Sequence, residues 1–340
     1  MIYYKLRNIY LHITEECEHH CDFCYASYGL GEFGHAKLED IKKIILYAAS
    51  AGVKNISLVG GNPVLHPNIS EILHYIADNT NMKTILMTNT ARFPHHTIKE
   101  LAPFVGTVMT TIHGSNSSQH DAITTVDGSY DDLVEACKEF QSYGIPIEIA
   151  YNITPGTYNQ IFSSLEALMN KGLNVSRYVL QRIAPIMDRN GNVLRSNEEY
   201  IPNKIQVNIA LAQIMNAKEK YNISIELVDP FPLCIVNEQF RQIITPCKCG
   251  VTDLSINGKG DVSRCGADPS YQLGNILMSK DSNPILELWQ KSPVLSNFRE
   301  RKYLPDRCQK CGDKMLCGGG CEVSCSIFGK YDRNHLELFD

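Results

Sequence analysis

The sequence predicts an α/β protein: a helix-wound parallel sheet, followed by a loop-rich region that metal holds together. Three observations carry the prediction. Short β-branched runs alternate with amphipathic stretches from residue 8 to about 185, and strands joined through helices pair in parallel with right-handed crossovers. From residue 234 onward that periodicity fades while Cys, Gly and Pro accumulate. Burial alone is a poor basis for folding there, so metal crosslinks are expected to stabilise the chain. The 13 cysteines are odd in number and clumped, which favours metal over disulfides.

In chain order the strands are "NIYLHIT" (8–14), "NISLV" (55–59), "KTILM" (83–87), "TVMTT" (107–111), "IPIEIAYNI" (145–153) and "SRYVLQRI" (176–183). The first clear helix is "LEDIKKIILYAASAG", where Leu38, Ile41, Ile45 and Ala48 recur at helical spacing and Gly52 can serve as a left-handed stop. "SYDDLVEACKEFQSYG" places Ser129 as N-cap with Asp132 three residues on, a capping-box variant, and ends at Gly144. "YNQIFSSLEALMNKG" repeats the design and closes at Gly172. Six such units give either a doubly wound sheet or a partial barrel of the triosephosphate-isomerase kind, and in both the function gathers at the C-terminal strand ends. Residues 1–190 form this domain. A connector follows over 191–234, with a helix "KIQVNIALAQIMNAKEKY" and a strand "ISIELV", and residues 235–340 form the cysteine-rich domain.

A chain of 340 residues can bury a substantial core. Its formal net charge of -5 and the lack of a long basic run give no electrostatic reason for a nucleic-acid partner. "MIYYKLRNIYLHIT" lacks a long apolar core before a small-residue cleavage site, so no signal peptide is read. The longest apolar runs are too short to cross a bilayer. A cytoplasmic protein without a membrane partner is expected. Cys137 lies on a helical face and is expected to pack as a small hydrophobe.

The stretch "CEHHCDFC" places Cys17, Cys21 and Cys24 in a loop directly after the first strand, with the aromatic Phe23 before the last cysteine. Three thiolates on a 4Fe–4S cube leave one iron open to an outside ligand, as catalytic zinc keeps a vacant position where structural zinc is closed. Zinc with His19 or His20 as fourth ligand is the alternative. With this C-x3-C-x-aromatic-C loop the chain resembles the radical S-adenosylmethionine (radical SAM) superfamily. The resemblance implies a partial (βα)6 barrel of the TIM type. It also implies that the open iron of a 4Fe–4S cluster binds the amino and carboxylate groups of S-adenosylmethionine. One electron then yields methionine and a 5′-deoxyadenosyl radical that takes hydrogen from substrate.

"GGNP", Gly60, Gly61, Asn62 and Pro63, matches the family at the end of the second strand. Glycines there let a ligand ammonium approach a carbonyl. The family usually has Glu where this chain has Asn62, so the contact keeps an acceptor oxygen and loses a charge. Thr88, Asn89, Thr111, His113, Asn152 and Gln181 are polar residues at the ends of later strands. With Phe23, the GGNP residues, Thr111, Asn152 and Gln181 form the candidate cofactor-binding set.

Further on, "CGVTDLSINGKGDVSRC" and "CQKCGDKMLCGGGC" resemble the SPASM extension, the auxiliary iron–sulfur domain of radical SAM enzymes that act on peptides and proteins. "GNIL" and "ILELWQKSP" fit its connecting segment, which makes Trp289 a packing residue. The family's ligand order implies one or two auxiliary 4Fe–4S clusters. Cys249, Cys265 and Cys321 would bind the first, with Cys234 or Cys247 as fourth ligand. Cys308, Cys311, Cys317 and Cys325 would bind the second. Only three residues separate Cys321 from Cys325, whereas the family's last ligand lies farther downstream.

These features point to a maturase that crosslinks a precursor peptide through thioether or carbon–carbon bonds, fed by a flavodoxin or ferredoxin. The barrel begins almost at residue 8, so leader recognition is expected from a separate protein or from the barrel face. Within the class, formylglycine-type oxidation, peptide epimerisation and haem or quinone cofactor maturation are alternatives. Outside it stands a non-enzymatic iron–sulfur or zinc scaffold. No side chain stands out as a general base or radical donor.

Overall fold

The computed structural model describes residues 4–25, 34–90, 93, 96–188 and 190–327, with Pro269 and residues 325–327 described by their backbone alone. The six expected strands form as β1 (Asn8–Thr14), β2 (Asn55–Gly60), β3 (Lys83–Met87), β4 (Thr107–Ile112), β5 (Ile147–Asn152) and β6 (Val175–Gln181). Between and after them lie α1 (Leu38–Ser50), α2 (Ile69–Asn79), α3 (Ile98–Leu101), α4 (Ser117–Thr124), α5 (Ser129–Ser142) and α6 (Ile161–Asn170). The connector holds a small hairpin, β7 (Ile186–Met187) with β8 (Val193–Arg195), then α7 (Lys204–Tyr221) and β9 (Ser224–Leu227). The C-terminal part contributes β10 (Asp253–Ile256), β11 (Asp261–Cys265), β12 (Asp268–Asn275), α8 (Pro284–Lys291), α9 (Pro293–Arg299), α10 (Asp306–Gln309), α11 (Lys314–Cys317) and α12 (Glu322–Ile327).

All strands except the small hairpin join one 10-stranded sheet in the order β12-β11-β10-β1-β2-β3-β4-β5-β6-β9. The run from β1 to β6 is parallel and β9 continues it beyond β6, so the fold is the helix-wound parallel sheet typical of a partial barrel. On the other flank β10 pairs in parallel with β1, Asn8 opposite Asp253, and β11 and β12 turn back antiparallel. The cysteine-rich region therefore grows out of the sheet edge beside the first strand. One apolar core runs through both parts, from Leu6 to Leu295. Strands covered on both faces read as apolar runs rather than alternations, and β4, "TVMTTI", is buried at five of its six positions.

Local signals explain most of the helix ends. In α1 the residues Ile41, Ile44, Ile45 and Ala48 are buried, and the chain leaves the helix through Gly52 at φ +78°. Cys137 lies in the core on α5, where burial pushes its thiol up to about 12. Trp289 packs as expected: it is buried, and its Nε1 donates to the Tyr4 carbonyl at 2.8 Å.

The start of α5 differs from the sequence expectation. Gly128 is the N-cap and Ser129 already lies inside the helix. The free amides are taken by Asp121 of α4 instead. Its carboxylate accepts from Gly128 N at 2.8 Å, Tyr130 N at 2.9 Å and the Ser129 hydroxyl at 2.9 Å. A carboxylate outcompetes a serine hydroxyl because its hydrogen bonds are charge-assisted and it suits the positive helix end. Asp121→Ala is expected to cost about 2 kcal/mol, read as a lower denaturant midpoint at unchanged slope, and an unmoved midpoint would refute this cap. Among the described residues, no helix is long and apolar enough to cross a membrane.

Candidate functional site

The cysteine loop leaves the C-terminal end of β1, where parallel-sheet folds place their chemistry. Cys24 N donates to the Cys21 carbonyl at 3.0 Å, closing the loop into a turn. Burial, with the neighbouring thiols adding to it, pushes Cys17 up to about 11 and Cys21 up to about 12. Left alone, such thiols resist ionisation, and a bound cationic centre reverses that by stabilising the thiolates. Among the described residues, no three His, Cys, Asp or Glu side chains converge in the tight group a single metal ion needs. Cube ligands stand wider apart, because each thiolate takes a different iron.

Gly60 and Gly61 are demanded by the protein's own backbone. A Cβ on Gly60, at φ +142°, would meet the Thr14 carbonyl oxygen at 2.0 Å, and one on Gly61 would meet that of Glu16 at 2.1 Å. The GGNP turn thus lies flat on the exit of β1, with Gly61 N donating to Thr14 O at 2.9 Å and Asn62 N to Glu16 O at 2.6 Å. Pro63 then opens a single buried 3-10 turn over Pro63–Leu65.

Asn62 is fully buried, and both polar atoms of its side chain are hydrogen-bonded. Its Oδ1 accepts from the Thr88 hydroxyl at 2.7 Å, and its Nδ2 donates to Asn89 Oδ1 at 2.8 Å and to the Glu18 carboxylate at 2.9 and 3.1 Å. Asn89 continues the chain by donating to Cys17 Sγ at 3.7 Å. Glu18, between the first two cysteines, is the acidic group at this place. Sequence reasoning passed over it, since an acid in a polar loop carries no signal until the fold brings Asn62 against it.

The connector grips the same loop from the other side. Phe23 is buried edge-on against His113, with centroids 5.6 Å apart, and against Tyr200 at 5.2 Å. Asn197 Nδ2 donates to the Phe23 carbonyl at 3.3 Å and to that of Ala184 at 2.8 Å, while Arg195 Nη1 donates to the Asp22 carbonyl at 2.8 Å. Partners more than 170 residues away along the chain could not be read from local pattern. His19 turns its buried ring toward His120, 6.5 Å away, and His113 N donates to His120 Nδ1 at 3.2 Å. Burial drives His120 down to about 4 and His113 well below its usual value, so both are neutral.

Of the remaining strand-end candidates, Asn152 and Gln181 stand side by side at the ends of β5 and β6, and Thr111 lies next to Ala150 near the end of β4. The hydrogen-bond chain from Asn62 joins Thr88 and Asn89 to Cys17; Thr111, Asn152 and Gln181 occupy the rim farther along. Past β9, burial pushes Asp229 up to about 6, against the pull of the Arg182 backbone amide and guanidinium. It is a second acid missing from the sequence-derived set.

The C-terminal cysteines fall into two groups. Cys249 hydrogen-bonds to Cys247 and to Cys265, and Cys321 lies within electrostatic reach of Cys247 and Cys265. Of the two candidates for fourth partner of Cys249, Cys265 and Cys321, Cys247 is the one that stands beside Cys249 and Cys321. Cys308, Cys311 and Cys317 line a cavity of about 220 Å³, and the cysteine that joins them on its wall is Cys234. The side chain of Cys325 lies outside the described residues. Four thiols around one cavity are a donor set suited to an iron–sulfur cube.

A helix-wound parallel sheet with three cysteines at the mouth of its first strand and two further cysteine groups at its edge defines an iron–sulfur radical enzyme. Residues 11–171 match the Radical SAM superfamily and residues 247–312 the SPASM iron–sulfur cluster-binding domain. The chain is similar to the AdoMet-dependent heme synthase of Methanosarcina barkeri, 23% identical over 90% of this chain and 88% of that one. The subtilosin biosynthesis protein AlbA of Bacillus subtilis is 22% identical over 96% of this chain and 70% of its own. Among solved structures, Streptococcus suis SuiB bound to S-adenosylmethionine matches with a TM-score of 0.71 at 17% identity, covering 95% of this chain and 74% of SuiB. SuiB has also been solved with its precursor peptide SuiA.

This chain belongs to the radical SAM superfamily and carries a C-terminal SPASM domain. Its cofactors are a 4Fe–4S cluster with S-adenosylmethionine and auxiliary iron–sulfur clusters in the SPASM domain.

Proposed function

We propose that the enzyme crosslinks a ribosomally made precursor peptide. The observation that carries the reading is the pair of cysteine groups beside the barrel. A thioether or carbon–carbon crosslink removes two hydrogen atoms from the peptide. One leaves with the deoxyadenosyl fragment; the other leaves as a proton and an electron, and centres near the barrel give that electron somewhere to go. The bacteriocin named with AlbA and the precursor peptide bound to SuiB support the same substrate class.

In this reading Cys17, Cys21 and Cys24 hold the cluster, which with S-adenosylmethionine supplies the hydrogen-abstracting radical. The rest of the loop orients the substrate. Glu18 is the acceptor for the ammonium of S-adenosylmethionine. Asn62 offers only a neutral oxygen that already accepts from Thr88, and its nitrogen donates, so the charged carboxylate of Glu18 is the stronger acceptor. What Asn62 does is hold the carboxylate of Glu18 in place beside Cys17. Thr111, Asn152 and Gln181 line the strand-end rim that the adenosine portion would meet, and Phe23 seals the loop from below against Tyr200 and His113.

The test is anaerobic turnover with S-adenosylmethionine, a flavodoxin or ferredoxin donor, and a peptide encoded beside the gene. Release of 5′-deoxyadenosine with a peptide lighter by two hydrogens is expected. A second reading, haem-precursor processing, is favoured by the similarity to the Methanosarcina heme synthase. A mass change on an added porphyrin, with the peptide untouched, would replace the first reading with the second.

A further inference from the structure

We propose that Cys234 is the fourth ligand of the second auxiliary cluster, binding it with Cys308, Cys311 and Cys317. The site would then be closed by the connector that precedes the SPASM region, not by chain beyond Cys321. This rests on the iron–sulfur character of the SPASM domain and not on the identity of the substrate.

Three features place Cys234 there. It lines the cavity of about 220 Å³ together with the other three cysteines. The preceding residue fixes the segment to the site, since Leu233 N donates to Cys317 Sγ at 3.3 Å. Amide-to-sulfur bonds of this kind are what a thiolate ligand needs to spread its charge. The glycine turn of "CGGGC" is also pressed onto the same segment. A Cβ on Gly320 would meet Pro232 at 2.8 Å and the Pro230 carbonyl oxygen at 3.0 Å, and Cys321 N donates to Pro230 O at 2.8 Å. Segment 230–234 and turn 317–321 are thus held together whatever the cavity contains.

Charge agrees with the assignment. Arg241, Arg307 and Lys314 stand on the cavity wall with one acid, Asp313, and this balance suits a cluster whose four thiolates leave it anionic. Cys325, the ligand implied by the family's order, is constrained by its backbone. Helix α12 begins directly after Cys321, so Cys325 is tied to the first cysteine group within about 6 Å of helix rise. The short spacing from Cys321 to Cys325 and the presence of Cys234 on the cavity wall then have one explanation: the ligand has moved from the downstream end of the site to its upstream end.

The experiment compares iron and sulfide content and the electron paramagnetic resonance of the reduced holoenzyme for wild type, Cys234→Ser, Cys234→Asp and Cys325→Ser. About twelve irons are expected in wild type and in Cys325→Ser, three cubes in each. Cys234→Ser is expected to lose about four irons or to change one of the auxiliary signals. Cys234→Asp, which restores an anionic ligand, is expected to keep the iron with a shifted signal, and this separates ligation from misfolding. A Cys325→Ser protein that loses about four irons, a wild type with only about eight, or Cys234 variants with unaltered iron and spectrum would each overturn the assignment.

Discussion

Glu18→Gln is expected to weaken S-adenosylmethionine binding roughly 10- to 100-fold while leaving the iron of the cysteine loop in place. The carboxylate is held by the Asn62 amide at 2.9 and 3.1 Å, and Glu18 directly follows Cys17 in the chain. Glutamine has nearly the same volume and can still accept from Asn62, so the loop geometry survives and the charge alone is lost. A hydrogen bond to a charged partner contributes about 1.5–3 kcal/mol, which sets the expected range. The readout is equilibrium dialysis of S-adenosylmethionine against the reconstituted protein, with iron content as the control. A variant that binds as tightly as wild type would show that the ammonium is received elsewhere. Loss of iron together with affinity would show that Glu18 supports the loop and does not contact the cofactor.

What was legible in the sequence was what is local. β1, β3 and α7 have the bounds that apolar patterning set, because a short β-branched run and a helix between Asn203 and Asn222 carry their signals within themselves. The cysteine loop was legible for the same reason, as its three cysteines lie within eight residues. The misreadings are non-local. Ser129 carries an N-cap signature, yet Asp121 from the neighbouring helix fills that role. The pairing of β10 with β1 joins residues some 245 positions apart, and no periodicity announces it. The same limit applies to Cys234. Spacing grouped Cys308, Cys311 and Cys317, which line one cavity, whereas Cys234, more than 70 residues upstream, reaches that wall only when the chain has folded back. Asn62 is a further case: its loss of charge relative to the family was visible, whereas the carboxylate it holds was not.

Glu322→Gln is expected to destabilise the protein by about 3–5 kcal/mol. Arg264 is 2% exposed and Glu322 7%, and Arg264 Nη2 lies 2.7 Å from Glu322 Oε2. The guanidinium sits over the rings of Phe298 at 4.1 Å and Tyr271 at 4.5 Å, and the Tyr271 hydroxyl donates to Glu322 Oε1 at 3.1 Å. Removing the carboxylate charge leaves a buried cation without its nearest counterion, which costs more than the pair itself contributes. The position magnifies the effect. Arg264 immediately precedes Cys265 and Glu322 immediately follows Cys321, so this one contact ties together two members of the first auxiliary group. Chemical denaturation of the anaerobic holoenzyme should therefore show a lower midpoint accompanied by earlier loss of auxiliary iron. Because the pair is buried, the loss should persist at high salt, unlike that of a surface ion pair. Arg264→Met with Glu322→Leu removes both charges and should lose less than Glu322→Gln alone. If the double variant is the worse of the two, the pair is a net source of stability and the unpaired-cation argument is wrong.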